Sequence, residues 1–351
     1  MDENTGWVVG DGGTILKTAS GGTQWISQNS PTFKSLKSVH FINAQNGWAS
    51  SDKSGSSGGV LLKTTDGQSW STLALNDPSG GAIRTGSLLE VQFNTPTRGW
   101  ILSKDIQVGG GFSHEVLQTS NGGASWFQIP FGGSSIIGLY FVNENTGWVV
   151  GRFGRLYKLT EEAVSGTVPG RAGATLIIFT TAGSAAMVSE RETATIKGDR
   201  IEVKDNFGTT ITTSGTATGR MIVRTDQTSG VSGELADVFF LDTNTGWTVG
   251  QDGVILKTTN AGQTWTRQTS GTTSYLNAVH FADVNHGWAV GRDGNILKTG
   301  DGGITWTKTI WTVQRFGSAI PVFLTGVHSI NPNLAWAVDQ SGEIIRYAPI
   351  P

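Results

Sequence analysis

The chain of 351 residues contains no cysteine, which excludes disulfide bonds and cysteine-based metal sites. Charged residues make up only 15% of it, the net charge is −2 at pH 7, and no stretch is strongly basic. A nucleic-acid partner is therefore not expected. No apolar run approaches the roughly 18 residues of a membrane-spanning helix, and Met1 does not begin a signal peptide.

An internal repeat organises what is present. The stretches from Leu235 to Trp265 and from Leu276 to Trp306 align residue by residue, with a period of about 41 residues. Each contains four short runs rich in β-branched and aromatic residues, bounded by Gly, Asn or Asp and too short for a stable helix. Four strands at this period predict one antiparallel blade of a β-propeller.

A Gly-Trp or Ala-Trp pair marks the second strand of each repeat. The tryptophans of these pairs are Trp7, Trp48, Trp100, Trp148, Trp247, Trp288 and Trp336. The interval between Trp148 and Trp247 is about twice as long as the others, which places an insertion there. We therefore predict an all-β fold, a seven-bladed β-propeller with a small β insertion in blade four.

The predicted division of the chain follows from this interval. Residues 1–159 form blades one to three and the first part of blade four, 160–220 form the inserted module, and 221–351 complete the propeller. Strands are predicted in the module at 175–181, 185–196, 199–204 and 209–213. A module with so few strands is only marginally stable alone, and we expect it to pack against the propeller or against a partner.

Two repeats are incomplete in the sequence. The first begins at Asp2, in the turn before its second strand, and the last has predicted strands only at 327–330, 335–338 and 343–347. Blade one thus lacks an inner strand and blade seven an outer one. We expect an upstream segment, carrying a leader that this chain lacks, or a partner to supply them and close the ring.

A second motif recurs at the turn between the third and fourth strands. The frame Thr-x-Asp/Asn-Gly-Gly-x-Thr-Trp, with variations, occupies 18–25, 119–126, 258–265 and 299–306, and a version one residue shorter occupies 64–70. It resembles the Asp-box, or BNR repeat, of sialidases and sortilin-type receptors. We expect these residues to build turns, because Asp or Asn accepts backbone N–H groups and Gly takes a positive φ. Ser20 replaces the acidic residue in blade one, which predicts a looser turn.

No catalytic set is evident. A hydrolase needs positioned carboxylates or an activated nucleophile, and none of the four tyrosines has an evident glutamate partner. The five histidines show no metal-site spacing, and His40, His280 and His328 share one repeat position, which indicates a structural role. We predict no catalytic residue, no metal site and no cofactor, and we do not expect an enzyme.

Binding residues are expected on four long connections. Residues 51–59, 76–87, 104–115 and 309–322 extend loops that emerge on one rim of an antiparallel propeller, and long loops on a rigid scaffold carry function disproportionately. Their candidate partner-binding residues are Trp311, Arg315, Phe316, Arg84, Phe112 and His114. Alternatively, these residues fold down over the ends of the propeller itself.

The complete frame, VxFxNxxxGWxVGxxGxILKTxDGGxTW, is similar to that of the Ycf48-like family of photosystem II assembly factors. The resemblance implies a seven-bladed, non-enzymatic protein outside the cytoplasm, whether periplasmic, lumenal, cell-surface or secreted. It also implies binding to a membrane-protein assembly intermediate, in part through an arginine patch. Arg152, Arg155 and Arg292 stand in the turn region that such a patch would use.

The function that we expect is that of a non-catalytic interaction scaffold. It would bind a protein partner or assembly at the cell surface or membrane periphery. Two alternatives stay open: a glycan-binding or glycoside-hydrolase-like Asp-box propeller, and a repeat module of a larger surface adhesin or filament.

Overall fold

The computed structural model describes residues 2–55, 57–108, 111–181, 183–310, 312–315 and 318–347. Within these ranges it describes only the backbone at 105–108, 111–112, 312–315 and 318–321. The chain is built from antiparallel sheets, and its described helices are 3₁₀ turns of three residues. None of these is long and apolar enough to cross a membrane.

The first three sheets each follow one repeat, with neighbouring strands paired in chain order. Sheet 1 contains β1 (Gly6–Val9), β2 (Ile15–Thr18) and β3 (Ile26–Ser27). Sheet 2 contains β4 (Leu36–Phe41), β5 (Gly47–Ser51), β6 (Leu61–Thr64) and β7 (Ser71–Leu73). Sheet 3 contains β8 (Ser87–Phe93), β9 (Gly99–Val108), β10 (Gly111–Thr119) and β11 (Phe127–Pro130).

Sheet 4 has six strands because the inserted segment adds to it. It begins with β12 (Ile136–Asn143), β13 (Thr146–Gly151) and β14 (Arg155–Ala163). The insertion contains β15 (Thr167–Pro169), β16 (Ala174–Thr180), β17 (Ala185–Val188), β18 (Glu192–Lys197), β19 (Arg200–Asp205) and β20 (Thr210–Ser214). The chain then returns through β21 (Ala217–Thr228). Sheet 4 has the order β12-β13-β14-β21-β16-β17, and β15-β18-β19-β20 form a separate sheet.

The remaining repeats resume the simple pattern. Sheet 5 contains β22 (Leu235–Phe240), β23 (Gly246–Gly250), β24 (Ile255–Thr258) and β25 (Thr266–Gln268). Sheet 6 contains β26 (Leu276–Phe281), β27 (Gly287–Gly291), β28 (Asn295–Thr299) and β29 (Thr307–Ile310). A hairpin of β30 (Thr312–Arg315) and β31 (Ser318–Pro321) precedes sheet 7, which contains β32 (Leu324–Asn331), β33 (Leu334–Asp339) and β34 (Ile344–Tyr347).

The Gly-Trp pairs hold neighbouring sheets together. In sheet 5, a Cβ on Gly246 would lie 2.6 Å from the ring of Phe240, so glycine lets this ring lie flat on its own sheet. Trp148 of sheet 4 stacks on the other side of Phe240, with ring centroids 3.4 Å apart. The same stacking joins Trp7 to Phe41, Trp48 to Phe93, Trp100 to Phe141 and Trp247 to Phe281. These aromatic rings form much of the core between sheets.

The last repeat sheet contacts the first. Asn331 of β32 donates a hydrogen bond to the carboxylate of Glu3. Trp336 of β33 packs so closely under Gly22 that a Cβ there would lie 2.7 Å from the indole Nε1. Sheets 1 and 7 each have three strands among the described residues, whereas sheets 2, 3, 5 and 6 have four.

The insertion forms a sandwich with a core of its own. Leu176, Val188, Ile201 and Val223 lie in this core, between the outer strands of sheet 4 and the separate sheet. The opposite face of sheet 4 packs on sheet 3, where Phe179 contacts Phe127 with ring centroids 5.0 Å apart. The inserted segment therefore packs against the repeat sheets, as its small number of strands requires.

A buried ionic cluster lies at the same junction. Glu161 of β14 pairs with Arg98, which directly precedes β9, and with Arg220 of β21, and Gln118 donates to its carboxylate at 2.8 Å. The side chains of Arg98 and Glu161 are only 6% and 11% exposed, so neither charge has much access to water.

Three sequence predictions need correction. The extension at 104–115 is not a loop, since β9 and β10 continue their pairing through Gly111 and Val108. The connection at 309–322 contains the paired strands β30 and β31. The strand predicted at 185–196 is two strands in two different sheets, because the chain turns between Val188 and Glu192, where the Glu192 carboxylate accepts from the Ser189 N–H.

Candidate protein-binding face

The turn between the second and third strand is fixed to the segment that precedes the same sheet. The N–H of Arg152 donates to Ser135 O at 2.9 Å, that of Gln251 to Glu234 O at 2.8 Å, and that of Arg292 to Tyr275 O at 2.9 Å. We call the surface formed by these turns and the residues before β12, β22, β26 and β32 the turn face. Turns and connections of neighbouring sheets meet on it.

A chain of polar and aromatic contacts crosses the turn face from sheet 4 to sheet 7. Arg152 donates to the Glu234 carboxylate at 2.9 Å, and the hydroxyl of Tyr275 donates to the other carboxylate oxygen. Arg292 lies over the ring of Tyr275 at 4.8 Å and over that of Phe323 at 5.1 Å. Burial, and then the bond to Glu234, raise the pKa of Tyr275 above its ordinary value, so the phenol stays protonated.

Arg155 lies apart from this chain of contacts. Its guanidinium donates to the hydroxyl of Tyr157 at 2.9 Å, and that hydroxyl also lies 3.1 Å from Ser134 Oγ. Arg224 packs over the rings of Phe131 and Tyr157 and donates to Pro130 O. Arg155 forms no ion pair with any carboxylate in the described part of the chain.

Phe153 is the exceptional residue of the turn face. The corresponding residues of sheets 1, 5 and 6 are Gly12, Asp252 and Asp293, with φ between 57° and 65°. Phe153 has the same left-handed conformation, φ 60°, and its side chain is 77% exposed. A bulky residue there costs on the order of 1 kcal/mol relative to glycine.

A cleft of about 430 Å³ opens beside Phe153. The ends of β14 and β21 and the connection at 229–231 line it, with Arg155, Tyr157 and Asp226 as its titratable groups. Its frame is rigid, because Gly154 donates to Gly233 O at 2.7 Å and Ser229 Oγ donates to Gly154 O at 2.7 Å. A side chain at Gly154 would collide with Val231 O, so this glycine is required.

The structure describes the side chains of only some of the other predicted binding residues. Arg84 is exposed and forms no described ion pair. His114 is half-buried, with Nδ1 lying 3.0 Å from Ile136 O. Trp311 and Phe316 lie outside the described residues, as do the side chains of Phe112 and Arg315. The structure therefore brings together Arg152 and Arg292, with Arg155 nearby in the chain.

Two half-buried acidic side chains lie on first strands. Glu90 of β8 accepts from the Leu139 N–H at 2.8 Å, and Asp237 of β22 accepts from the Val279 N–H at 2.8 Å. Burial raises the pKa of both carboxyls, and the charge of Asp237 raises that of Glu90 further. Each carboxyl is thus used to tie its strand to the next sheet, and neither lines the cleft beside Phe153.

The three histidines of the shared repeat position also lie on first strands, where His40 and His280 are half-buried and His328 is exposed. His40 lies 2.8 Å from Phe93 O, and His280 lies 2.8 Å from Ser329 Oγ and contacts the ring of His328. Partial removal from water lowers the pKa of His40 to about 4 and that of His280 well below its ordinary value. Among the residues with described side chains, no group of three or more His, Asp or Glu could hold a metal ion.

The fold is similar to that of several propellers of known structure. A structure of Ycf48 bound to a D1 peptide has a TM-score of 0.59 and 17% identity, over 99% of this chain and 89% of that one. Ycf48 from Cyanidioschyzon merolae gives 0.58 and 16%, over 99% and 92%. The WD40 β-propeller domain of Doa1 gives 0.58 and 11%, over 99% and 90%.

The fold is a β-propeller. The similarity to these propellers extends over nearly the whole chain, and at these identities it concerns the fold alone. No protein-family model matches the sequence, and no curated protein is similar to it.

Sequence reasoning missed Phe153, Glu234 and Phe323. Glu234 and Phe323 precede first strands, where the sequence shows no motif. Phe153 did have a signal: the frame Gly-x-x-Gly has Gly or Asp at its third position in sheets 1, 5 and 6, and Phe only in sheet 4. An aromatic at a position that the repeat assigns to a left-handed turn indicates a role outside the repeat.

Proposed function

We propose that this protein is a non-catalytic, seven-bladed propeller scaffold that binds a protein partner through its turn face. The seven repeat sheets would be its blades, and residues 160–220 a module inserted into blade four. The contact between sheets 1 and 7 supports a closed ring. The sequence resemblance to Ycf48-like proteins further supports a place outside the cytoplasm, at the membrane periphery or cell surface.

The observation that carries this proposal is the contact chain from Arg152 through Glu234 and Tyr275 to Arg292 and Phe323. Arginine and aromatic side chains are enriched in protein interfaces, because they combine large contact area with directional hydrogen bonds. Here they are held in place by one another before any partner arrives, which reduces the entropy lost on binding. One similar propeller, Ycf48, is found with a bound peptide of D1.

Site-directed photo-cross-linking in the source cells tests the proposal. The photoreactive amino acid p-benzoylphenylalanine replaces Gln251, which is exposed on the turn face between Arg152 and Arg292. The matched control replaces Ile304, which is 79% exposed in the Asp-box turn at the other end of the third strand. We expect a protein adduct from position 251 and none from 304.

The recovered partner then allows a quantitative test with purified components. Replacing both Arg152 and Arg292 by Gln should weaken its binding about tenfold or more, as expected for interface arginines. Equal adducts from both positions, or binding unaffected by the double replacement, would contradict the assignment of the turn face.

A further inference from the structure

We propose that the cleft beside Phe153 is a peptide-docking site, which takes an extended partner segment with an apolar residue and an acidic residue two positions apart. This inference rests on the proposed protein-binding function and names the part of the turn face and the chemistry of the partner. It starts from Phe153, whose presence the fold does not explain.

The turn conformation disfavours phenylalanine. Gly12, Asp252 and Asp293 occupy the equivalent positions with the same positive φ, and Gly and Asp tolerate that conformation far better than an aromatic residue. Burial of the ring does not offset the strain, because 77% of the side chain is exposed. A strained residue with an exposed aromatic ring points to a role in binding rather than in folding.

The surroundings of Phe153 define what it would contact. Phe153 and Arg155 lie two positions apart, at the mouth of the cleft, and Arg155 has no carboxylate partner among the described residues. In an extended peptide, side chains at i and i+2 lie on the same side, about 7 Å apart. The Cα atoms of Phe153 and Arg155 are at most about 7 Å apart, because a single residue separates them. A carboxylate at i+2 of a segment whose apolar side chain lies on the Phe153 ring can therefore reach the Arg155 guanidinium.

The charges of the cleft favour a peptide over a neutral glycan. An aromatic ring beside polar groups also suits a sugar, but a neutral sugar leaves the charge of Arg155 unmatched. Asp226 lines the same cleft, directly across the strand pair from Tyr157. Its charge disfavours a second acidic residue in the bound segment, so a segment with a single carboxylate fits best.

Short synthetic peptides provide the probe, and the amide signals of Gly154 and Gly230, both in the cleft lining, provide the readout by ¹H–¹⁵N NMR. The peptide Ac-Gly-Leu-Ser-Glu-Gly-NH₂ should shift these signals in a saturable way. Replacing its Glu by Gln, or moving Glu next to Leu in Ac-Gly-Leu-Glu-Ser-Gly-NH₂, should weaken binding about fivefold or more, since each removes the contact with Arg155.

Variants of the protein separate binding from folding. Phe153→Gly should weaken peptide binding about tenfold and raise the melting temperature by about 2 °C, because it removes the strain. Arg155→Gln should weaken binding of the Glu peptide and leave that of the Gln peptide unchanged. Phe33→Ser is the matched control: Phe33 is 94% exposed, has an ordinary φ, and its replacement should change neither quantity.

Three outcomes would overturn the inference. The Gly154 and Gly230 signals stay fixed with every peptide, or they shift with maltohexaose instead, or Phe153→Gly lowers the melting temperature as for a structural residue. None of these outcomes affects the cross-linking result at position 251, on which the proposed function depends.

Discussion

Trp148 and Phe240 stack face to face across the boundary between sheets 4 and 5, with an interplanar angle of 8°. Phe240 also receives the edge of Trp265 at 88°, so one phenylalanine joins the Gly-Trp motif of one repeat to the Asp-box of the next. The arrangement recurs with Trp247, Phe281 and Trp306. The two sequence motifs are therefore two halves of one packing unit.

This packing unit predicts the cost of two substitutions. Phe240→Ala should lower the free energy of unfolding by about 4 kcal/mol, since it removes a fully buried ring between two tryptophans. Gly246→Ala should cost about 2 kcal/mol, because its Cβ would lie 2.6 Å from the Phe240 ring. Urea denaturation followed by tryptophan fluorescence measures both. Gly133→Ala, with open space around it, should be neutral.

The Glu161 cluster predicts that the junction of the insertion depends on one charge. Glu161→Gln should destabilise the protein by about 3 kcal/mol, because Arg98 would remain buried without a counter-charge. The neighbouring Glu162 pairs with Arg171 at 2.8 Å, but its side chain is 39% exposed. Glu162→Gln should therefore cost about 0.5 kcal/mol or less. Equal losses in chemical denaturation would argue against the buried cluster.

Buried Glu115 predicts a pH dependence of stability. Burial raises its pKa from 4.5 to about 7, while a hydrogen bond from Gln128 acts in the opposite direction. The folded state therefore holds a proton that the unfolded state releases, and its stability falls as pH rises from about 4.5 to 7. Glu115→Gln should be more stable than the wild type at pH 8 by about 3 kcal/mol.

The same variant should match the wild type near pH 4, where Glu115 is neutral in both states. Thermal unfolding from pH 4 to 8 measures the difference between the two proteins. A constant difference over this range would show that Glu115 is ionised in the folded protein.

Asp301 predicts a pH dependence of the opposite sign. Hydrogen bonds from the side chain and backbone of Thr305 lower the pKa of this Asp-box carboxyl to about 2. Its stabilisation is present above the ordinary pKa of 3.8 and is lost as pH falls towards 2. Asp301→Asn should lower the melting temperature at pH 6, and the difference should disappear near pH 2. Asn260→Asp, at the equivalent position of sheet 5, should have the reverse effect at pH 6.

The repeat sheets could be predicted because their determinants are local and recur. Each repeat contains a Gly-Trp pair, an Asp-box turn and the apolar runs between them within a short stretch of sequence. Because the repeats resemble one another, each copy supports the strand assignments of the others. The looser turn predicted at Ser20 is not found, because its hydroxyl accepts from the Gln24 N–H at 3.0 Å as Asp or Asn does in the other Asp-boxes. Local turn chemistry of this kind is readable from sequence.

The structure of the insertion and of the turn face could not be predicted from the sequence as well, because both depend on contacts between residues that are distant in the chain. The sequence predicts one strand from Ala185 to Ile196, yet its two halves lie in different sheets. The pairing of Arg152 with Glu234, 82 positions away, has no sequence signal. Phe153 alone could have been recognised, as a break in the pattern of an otherwise regular turn.

The strand β21 is continuous over its 12 residues, from Ala217 in the inserted sandwich to Thr228 at the edge of the cleft beside Phe153. No linker interrupts it, so the sandwich has no hinge about which to swing. A load applied to the sandwich would pass as shear along the hydrogen bonds between β14 and β21 directly into the walls of that cleft. One continuous strand thus joins the inserted sandwich to the cleft, so a displacement of the sandwich would also displace the cleft wall.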